Sequence, residues 1–262
     1  MVSQKIITFA HHNSKKMGKL LFHIGRYFVL MKRVFSRPER WRVFLRNTVR
    51  AIDSMGVSSI AIVLIISFFM GAVCAIQMAY NLQNPIIPRY LIGYGTRETL
   101  LLEFSSTIVA LILAGKVGSN IASELGTMRV TEQVDALEMM GVNSASYLIL
   151  PKIVGFVFFI PVLTIFSMAI GILGGYVASF GTKGLTPHDY VVGITSMFQP
   201  FYVTYSLVKS LVFAYIIASV SSYYGYYTNG GALDVGRSST HAVVYSSIVV
   251  LLFNLILTKL ML

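Results

Sequence analysis

The sequence predicts an all-α fold in which several helices cross a membrane. Of its 262 residues, 55% are hydrophobic and only 12% are charged, whereas soluble domains carry about 25% charged residues. The mean hydropathy is +0.72. Three uncharged stretches, Ser54–Pro88, Ile153–Thr182 and Ser238–Thr258, each provide the roughly 20 residues that a helix needs to cross a bilayer core. The alternating ten-residue strands of an outer-membrane barrel do not recur.

Residues 1–54 are predicted to form a basic, amphipathic region at the membrane interface. Twelve of the 21 lysines and arginines precede Ser54, and the first 38 residues contain no acid. Residues 16–37 and 41–52 each separate apolar from basic side chains at helical spacing, with a capping-box pattern at Ser36–Glu39 between them. Such helices lie on anionic lipid, which we favour over nucleic acid as the explanation of the positive charge.

Residues 55–262 are predicted to form one transmembrane domain with five spans. Prolines and glycines at 85–95 separate the first two spans, and the glycines at 225–237 predict a loop before the last. Thr186 and Pro187 predict the start of a short helix in the third connection. The spans are expected at about 56–80, 99–122, 150–180, 201–224 and 238–260.

The distribution of positive charge predicts the orientation. With the N-terminus in the cytoplasm, sixteen lysines and arginines fall on the cytoplasmic side and four on the outer side, with Lys209 left inside a span. Cytoplasmic loops carry the excess of positive charge in membrane proteins. Residues 124–140 are therefore expected in the cytoplasm and the C-terminus outside.

The segment 124–140 is the most polar part of the transmembrane domain. It carries four acids and one base between two apolar flanks. We predict a helix along the membrane surface, with Val130, Val134 and Leu137 on one face and three acids on another. An acidic helix is repelled by anionic lipid, so a groove of a protein partner is the better cover for its apolar stripe. The three acids are Glu132, Asp135 and Glu138.

Motifs for catalysis are missing. The five histidines show no metal-binding spacing, and no Gly-x-Ser-x-Gly motif occurs. The stretch 110–117 contains Gly115-Lys116 but lacks the first glycine of a phosphate-binding loop and has Val117 in place of its hydroxyl residue. We therefore predict that the chain has no catalytic or metal site, and that any ATP is hydrolysed by another polypeptide.

Glu103 is the main candidate for a functional residue, because a charge within a span costs about 3 kcal/mol or more. It either lines a cavity for a polar ligand or reaches water near the outer interface. Gln77, in the first span, could face the same cavity or pack with a hydrogen-bonded partner. Lys209 either reaches the interface or pairs with an acid. One alternative function is an ion-coupled carrier or channel that uses Glu103 as its proton site.

Small residues recur at every fourth position in two spans and form two smooth ridges. Such ridges allow close helix packing, either inside one chain or at the seam of a homodimer. The first ridge contains Ala110, Ala114, Gly118, Ala122 and Gly126, and the second contains Gly171, Gly175 and Ser179.

Four segments of the sequence resemble the MlaE/YrbE family of ABC-transporter permeases. They are Ala114–Ser119 (AGKVGS), Glu124–Gln133 (ELGTMRVTEQ), Leu137–Met140 (LEMM) and Val235–Thr240 (VGRSST). The resemblance extends from about Phe35 to the end of the chain.

The resemblance implies a homodimeric permease of a Gram-negative inner membrane that moves phospholipid. It also implies a cytoplasmic ABC ATPase, which would bind the ATP and magnesium, and a periplasmic MCE-type partner. Because chloroplast lipid importers are similar too, the chloroplast envelope is the alternative compartment.

The resemblance further implies roles for individual residues. Gln77 and Glu103 match positions around the lipid cavity, although the family's Arg-Glu-Leu-Gly-Pro is replaced here by Leu102–Ser106, which leaves open how Glu103 is neutralised. The segment 124–140 matches the coupling helix that enters the ATPase groove. Its expected coupling residues are Glu124, Arg129, Val130, Glu132, Gln133, Val134, Asp135 and Leu137.

Overall fold

The computed structural model describes residues 21–36, 41–82, 86–182 and 184–262. Within these ranges all regular structure is helical, and five helices are long and apolar enough to cross a membrane. The predicted all-α polytopic fold is confirmed. In chain order the helices are α1 (21–34), α2 (Trp41–Asn81), α3 (Tyr90–Val130), α4 (Gln133–Met139), α5 (Ser144–Ser179), α6 (Pro187–Thr195), α7 (Pro200–Tyr226) and α8 (Ala232–Met261).

The first span is longer than predicted because it includes the amphipathic segment before it. Helix α2 runs without a break from Trp41 through residues that we expected to form a separate helix. The two parts are joined by π-helical turns at Ile52–Val57. Gly56 lies within these turns and packs against Phe159, whose ring would be 2.7 Å from an added Cβ.

Two predicted connections are partly helical. Gly93, expected in a loop, lies in α3, where an added Cβ would be only 2.4 Å from the carbonyl oxygen of Tyr190. The predicted loop at 225–237 is shorter, because α8 begins at Ala232. There the amide of Gly231 donates to Asp234 Oδ2 at 3.1 Å, which satisfies one donor at the helix start.

Helix α1 packs on the span α7. Tyr27 donates to Ser219 Oγ at 2.9 Å, and His23 Nδ1 lies 2.7 Å from the hydroxyl of Tyr223. The apolar side of α1 is divided, because some residues are buried in the core while Phe22 and Phe28 remain exposed. The predicted start at residue 16 and the capping box at Ser36–Glu39 extend outside the described residues. The buried residues of α1 are Leu30, Met31 and Val34.

Both ridges of small residues lie inside the chain. A Cβ on Gly118 would be 2.8 Å from Ser221 Oγ, and Gly225 meets the backbone of Ala122, so the first ridge packs on α7. The second ridge packs on α2 and α6, where an added Cβ on Gly175 would be 2.0 Å from the Tyr190 hydroxyl. All the predicted ridge residues are buried within this one chain: Ala110, Ala114, Gly118, Ala122, Gly126, Gly171, Gly175 and Ser179.

The short helices mark the two ends of the bundle, which we call the α4 side and the α6 side. On the α6 side, Thr186 accepts a hydrogen bond from the amide of Asp189 and caps α6, as predicted. Arg97 is buried and donates to the carbonyl oxygens of Ile194 and Ser196 at 2.6 and 2.7 Å. Since these carbonyls lie at the C-terminal end of α6, the cation satisfies acceptors that the helix leaves open.

Candidate functional site

Glu103 lies in a π-helical stretch of α3, Leu100–Ile108. Such stretches accommodate an extra residue within a helix and are frequent at functional sites. The carboxylate is directed toward α7, where Lys209 Nζ lies 2.7 Å from Glu103 Oε1. Of the two interpretations of Lys209 that the sequence left open, the structure supports the pair with an acid. The cation that is missing beside Glu103 in the sequence is supplied from 106 residues away.

Uncharged donors from two helices complete the surroundings of the carboxylate. Asn254 Nδ2 and Thr107 Oγ1 each lie 3.1 Å from Oε2, and Thr258 Oγ1 lies 3.3 Å from Oε1. Tyr205 donates to Thr258 at 3.0 Å and places its ring 4.5 Å from Lys209 Nζ. Helices α3, α7 and α8 therefore meet at Glu103. We call these six residues the Glu103 cluster: Glu103, Thr107, Tyr205, Lys209, Asn254 and Thr258.

The two charges of the cluster differ in exposure. The side chain of Lys209 has no exposed surface, whereas that of Glu103 is 41% exposed at the surface of the single chain. A buried ammonium is tolerated only where a partner compensates its charge. The arrangement thus holds an anion at the bundle surface, with both carboxylate oxygens hydrogen-bonded and part of the side chain exposed.

Gln77 is not part of this cluster. It lies in the last turns of α2 and is exposed, and the hydrogen-bond partners of Glu103 do not include it. Within the single chain, the structure does not bring together the two residues that we predicted to share a cavity.

The segment 124–140 is two helices rather than the one that we predicted. Residues up to Val130 continue α3, and α4 begins at Gln133. Between them Glu132 adopts a left-handed conformation with φ of 60°, which interrupts the helix, and Val134, two residues later, is fully buried. Glycine is the usual residue in this conformation, so a glutamate there gave no sequence signal of a break.

The predicted acidic face of this segment is divided among different contacts. Asp135 pairs with Arg129 at 2.7 Å, and Glu124 pairs with Lys152 at 2.5 Å. Glu132 and Glu138 are exposed and have no ion-pair partner among the described residues, although Glu138 accepts hydrogen bonds from two hydroxyls. Of the remaining predicted coupling residues, Gln133 is exposed, Val130 and Leu137 are half-buried and Val134 is buried.

The apolar surface of α4 also differs from the prediction. Because Val134 is covered by the chain itself, the large apolar side chains that α4 leaves open are Met139, 89% exposed, and the following Met140. Flexible methionine side chains adapt readily to a partner surface. In the sequence the two methionines stand out only as part of the family motif Leu137–Met140. The sequence did not predict that they are exposed, because it did not predict the break at Glu132.

Glu138 is the acid of α4 that contacts α5 and α7. Ser144 Oγ and the Tyr226 hydroxyl lie 2.8 and 2.9 Å from Glu138 Oε1. These hydrogen bonds, that of Ser144 first, together with the charges of Arg129 and Arg33, hold the pKa of Glu138 below its usual range. The carboxylate is therefore ionised at neutral pH and acts as an acceptor for both hydroxyls.

Comparison with known proteins gives consistent matches over nearly the whole chain. A family model described as Permease MlaE matches residues 48–260. A probable ABC transporter permease protein of Rickettsia bellii is 32% identical over 255 residues, covering 97% of this chain and 98% of the relative. A probable ABC transporter permease protein of Synechocystis sp. is 36% identical and covers 89% of each chain. The intermembrane phospholipid transport system permease protein MlaE of Haemophilus influenzae is 29% identical and covers 98% of each.

Proposed function

This chain belongs to the MlaE permease family, and from that premise we propose that it is the membrane subunit of an ATP-driven phospholipid transporter. The observation that carries the proposal is the match, over 98% of both chains, to a permease named for intermembrane phospholipid transport. The Glu103 cluster supports it, because a partly open carboxylate between spans can contact a polar head group while apolar helices hold acyl chains.

In this proposal two copies of the chain enclose a cavity in a bacterial inner membrane. Glu103 meets the head group, and Gln77 faces the same space from the surface of α2. The positive side chains near the N-terminus keep that end in the cytoplasm, together with α4. A periplasmic MCE-type protein exchanges phospholipid with the cavity.

The energy is supplied by a separate cytoplasmic ABC ATPase, which binds ATP and magnesium. Its docking surface on this chain is the exposed side of α4, where Glu132 and Gln133 lie beside an apolar patch of two methionines. Such a patch with a polar rim is the usual composition of a protein interface. ATP hydrolysis moves α4, and the movement changes the shape of the cavity.

The docking role of α4 is tested by changing its exposed side. Glu132→Lys combined with Met139→Asp should remove the ATPase from the purified complex, because the first reverses a charge and the second places a charge in an apolar contact. Glu132→Gly is the matched control, since glycine keeps the left-handed conformation and should leave most of the ATPase bound. Unchanged co-purification with the double variant would refute the docking role.

Transport itself is tested in liposomes with the complex and a fluorescent phospholipid. We expect lipid exchange that requires ATP and that falls by about tenfold or more in Glu103→Leu, since a hydrogen bond to a charged group contributes about 1.5–3 kcal/mol. The expected ligand can also be identified by mass spectrometry of lipid that co-purifies. Flux driven by a proton gradient in the absence of any ATPase would instead support the ion-coupled carrier.

A further inference from the structure

Three side chains from three helices meet at one carboxylate oxygen on the α4 side. Glu138 belongs to α4, Ser144 begins α5 and Tyr226 ends α7. The two hydroxyls are buried, and their oxygens lie 2.8 Å apart, in addition to their contacts of 2.8 and 2.9 Å with Glu138 Oε1. We call this group the Glu138 triangle.

The number of protons in the triangle makes the carboxylate essential to it. The three contacts between oxygens share only the two hydroxyl protons, since an ionised carboxylate donates none. When both protons are directed at Glu138, each hydrogen bond has a charged acceptor, and such bonds are stronger than those between neutral groups. Without the carboxylate, Ser144 and Tyr226 keep only the bond to each other.

Tyr226 connects the triangle to the Glu103 cluster, because both lie on α7. Lys209 precedes Tyr226 by about 17 residues, which corresponds to about 25 Å along a helix. The helix between them is continuous and closely packed, with Phe213, Ile217 and Ser221 fully buried. A displacement of its end at Tyr226 would therefore be carried along the helix axis to Lys209.

In the described part of the chain, the other polar contacts of α4 do not reach α7. The pair of Arg129 and Asp135 joins α4 to the preceding helix α3, and both side chains are partly exposed, where ion pairs contribute little. Among the hydrogen bonds of the described residues, those of Glu138 are the polar contacts between α4 and α7.

We propose that Glu138, Ser144 and Tyr226 are positioning residues that transmit movement of α4 to α7, and through α7 to the Lys209–Glu103 pair. This inference rests on the proposed function, in which an ATPase moves α4. The triangle then couples ATP hydrolysis to a change at the lipid-facing carboxylate. Loss of the triangle leaves the exposed docking side of α4 in place. The ATPase then still binds and hydrolyses ATP, but less phospholipid is moved for each ATP.

The experiment compares Tyr226→Phe with Tyr227→Phe in the complete complex in liposomes. Both changes remove one hydroxyl, but the ring of Tyr227 packs on Arg26 and its hydroxyl makes no hydrogen bond among the described residues. Phospholipid moved per ATP hydrolysed is the measured quantity. We expect Tyr226→Phe to lower it by about tenfold with ATPase activity retained, the equilibrium effect of one hydrogen bond to a charged group. Tyr227→Phe should match the parent protein.

A second variant separates transmission from a general loss of structure. Glu138→Gln should also lower the ratio, and the double variant with Tyr226→Phe should be no worse than either single change, because both remove the same link. Additive losses, or an unchanged ratio in Tyr226→Phe, would overturn the inference. If the complex with Tyr226→Phe does not assemble, the same ratio of phospholipid moved to ATP hydrolysed is measured for Glu138→Gln, and an unchanged ratio there would overturn the inference. A parent complex without ATP-dependent transport would contradict the proposed function instead.

Discussion

Removal of Glu103 leaves a lysine that has no exposed surface and no other ion-pair partner among the described residues. Lys209 would keep only a carbonyl contact of 3.4 Å with Leu102 and the face of the Tyr205 ring. Removal of Lys209, by contrast, leaves a carboxylate that is 41% exposed and that retains hydrogen bonds from Asn254 and Thr107. The free energy of unfolding should therefore fall more when Glu103 is lost than when Lys209 is lost.

We predict that Glu103→Gln destabilises the folded protein more than Lys209→Met does. Loss of one partner of a buried ion pair costs about 3 kcal/mol or more, and the full cost applies only where the remaining charge is enclosed. The measurement is the thermal unfolding midpoint of the detergent-solubilised protein for each variant. The double variant should recover part of the loss, and an equal shift for both single variants would contradict this account.

The sequence was sufficient to select Glu103 but not to find its surroundings. A charge in an apolar span is expensive, and this cost made Glu103 a candidate without any structure. Lys209 was equally visible as a charge, yet two interpretations of it stayed open, because pairing across 106 residues depends on how α3 and α7 pack. Thr107, Asn254 and Thr258 carry no such cost, so nothing in the sequence distinguished them from ordinary polar residues of a span.

At the scale of helices, the contact between α2 and α5 depends on glycine at specific positions. An added Cβ on Gly71 would be 1.8 Å from the carbonyl oxygen of Gly171, and one on Gly174 would be 2.0 Å from that of Phe68. Both obstacles are backbone atoms, which cannot move aside as a side chain can. A Cβ on Gly171 itself would lie 3.4 Å from the side chain of Leu100 and 3.5 Å from the carbonyl oxygen of Ser67, which are ordinary van der Waals contacts.

Gly71→Ala and Gly171→Ala therefore form a matched pair of variants. We expect Gly71→Ala to destabilise the protein by at least about 1–3 kcal/mol, the usual cost of overpacking, and to reduce the yield of monodisperse protein. Gly171→Ala should stay close to the parent in both respects. The two variants are compared by size-exclusion chromatography and thermal unfolding. Equal yields and equal unfolding midpoints would show that α2 and α5 can move apart at Gly71 without loss of stability.

Helix number and approximate position were predictable, but helix ends were not. Five apolar segments of sufficient length predicted five spans, because the bilayer thickness sets a minimum length. The spans nevertheless extend beyond the apolar segments, as at Trp41 and Ala232, since a helix continues into water when packing and capping support it. The break at Glu132 was missed because neither glycine nor proline marks it.

For the whole molecule, the placement of charge predicts which end of the bundle faces the cytoplasm. The helices place α4 on one side and α6 on the other, and the excess of positive residues assigns the α4 side to the cytoplasm. Cys74 is the single cysteine and is buried, so its replacement by serine provides a background for labelling introduced thiols.

In that background we predict that Met139→Cys is protected from a membrane-impermeant maleimide in intact cells, whereas His188→Cys reacts. Both positions are exposed, so the reagent's access depends on the side of the membrane and not on burial. Permeabilised cells are the control, in which both thiols should be labelled. Reaction of Met139→Cys in intact cells, with protection of His188→Cys, would reverse the assigned orientation and contradict the docking of a cytoplasmic ATPase on α4.

The burial of Arg97 has a consequence for how the protein responds to ionic strength. Dissolved ions weaken attraction between charges that they can approach, as at Arg237 and Asp234, whose side chains are 75% and 40% exposed. They cannot approach a guanidinium that is 1% exposed and bound to the backbone of another helix. We therefore expect concentrated salt to weaken the pair of Arg237 and Asp234 and to leave the attachment of α6 through Arg97 intact.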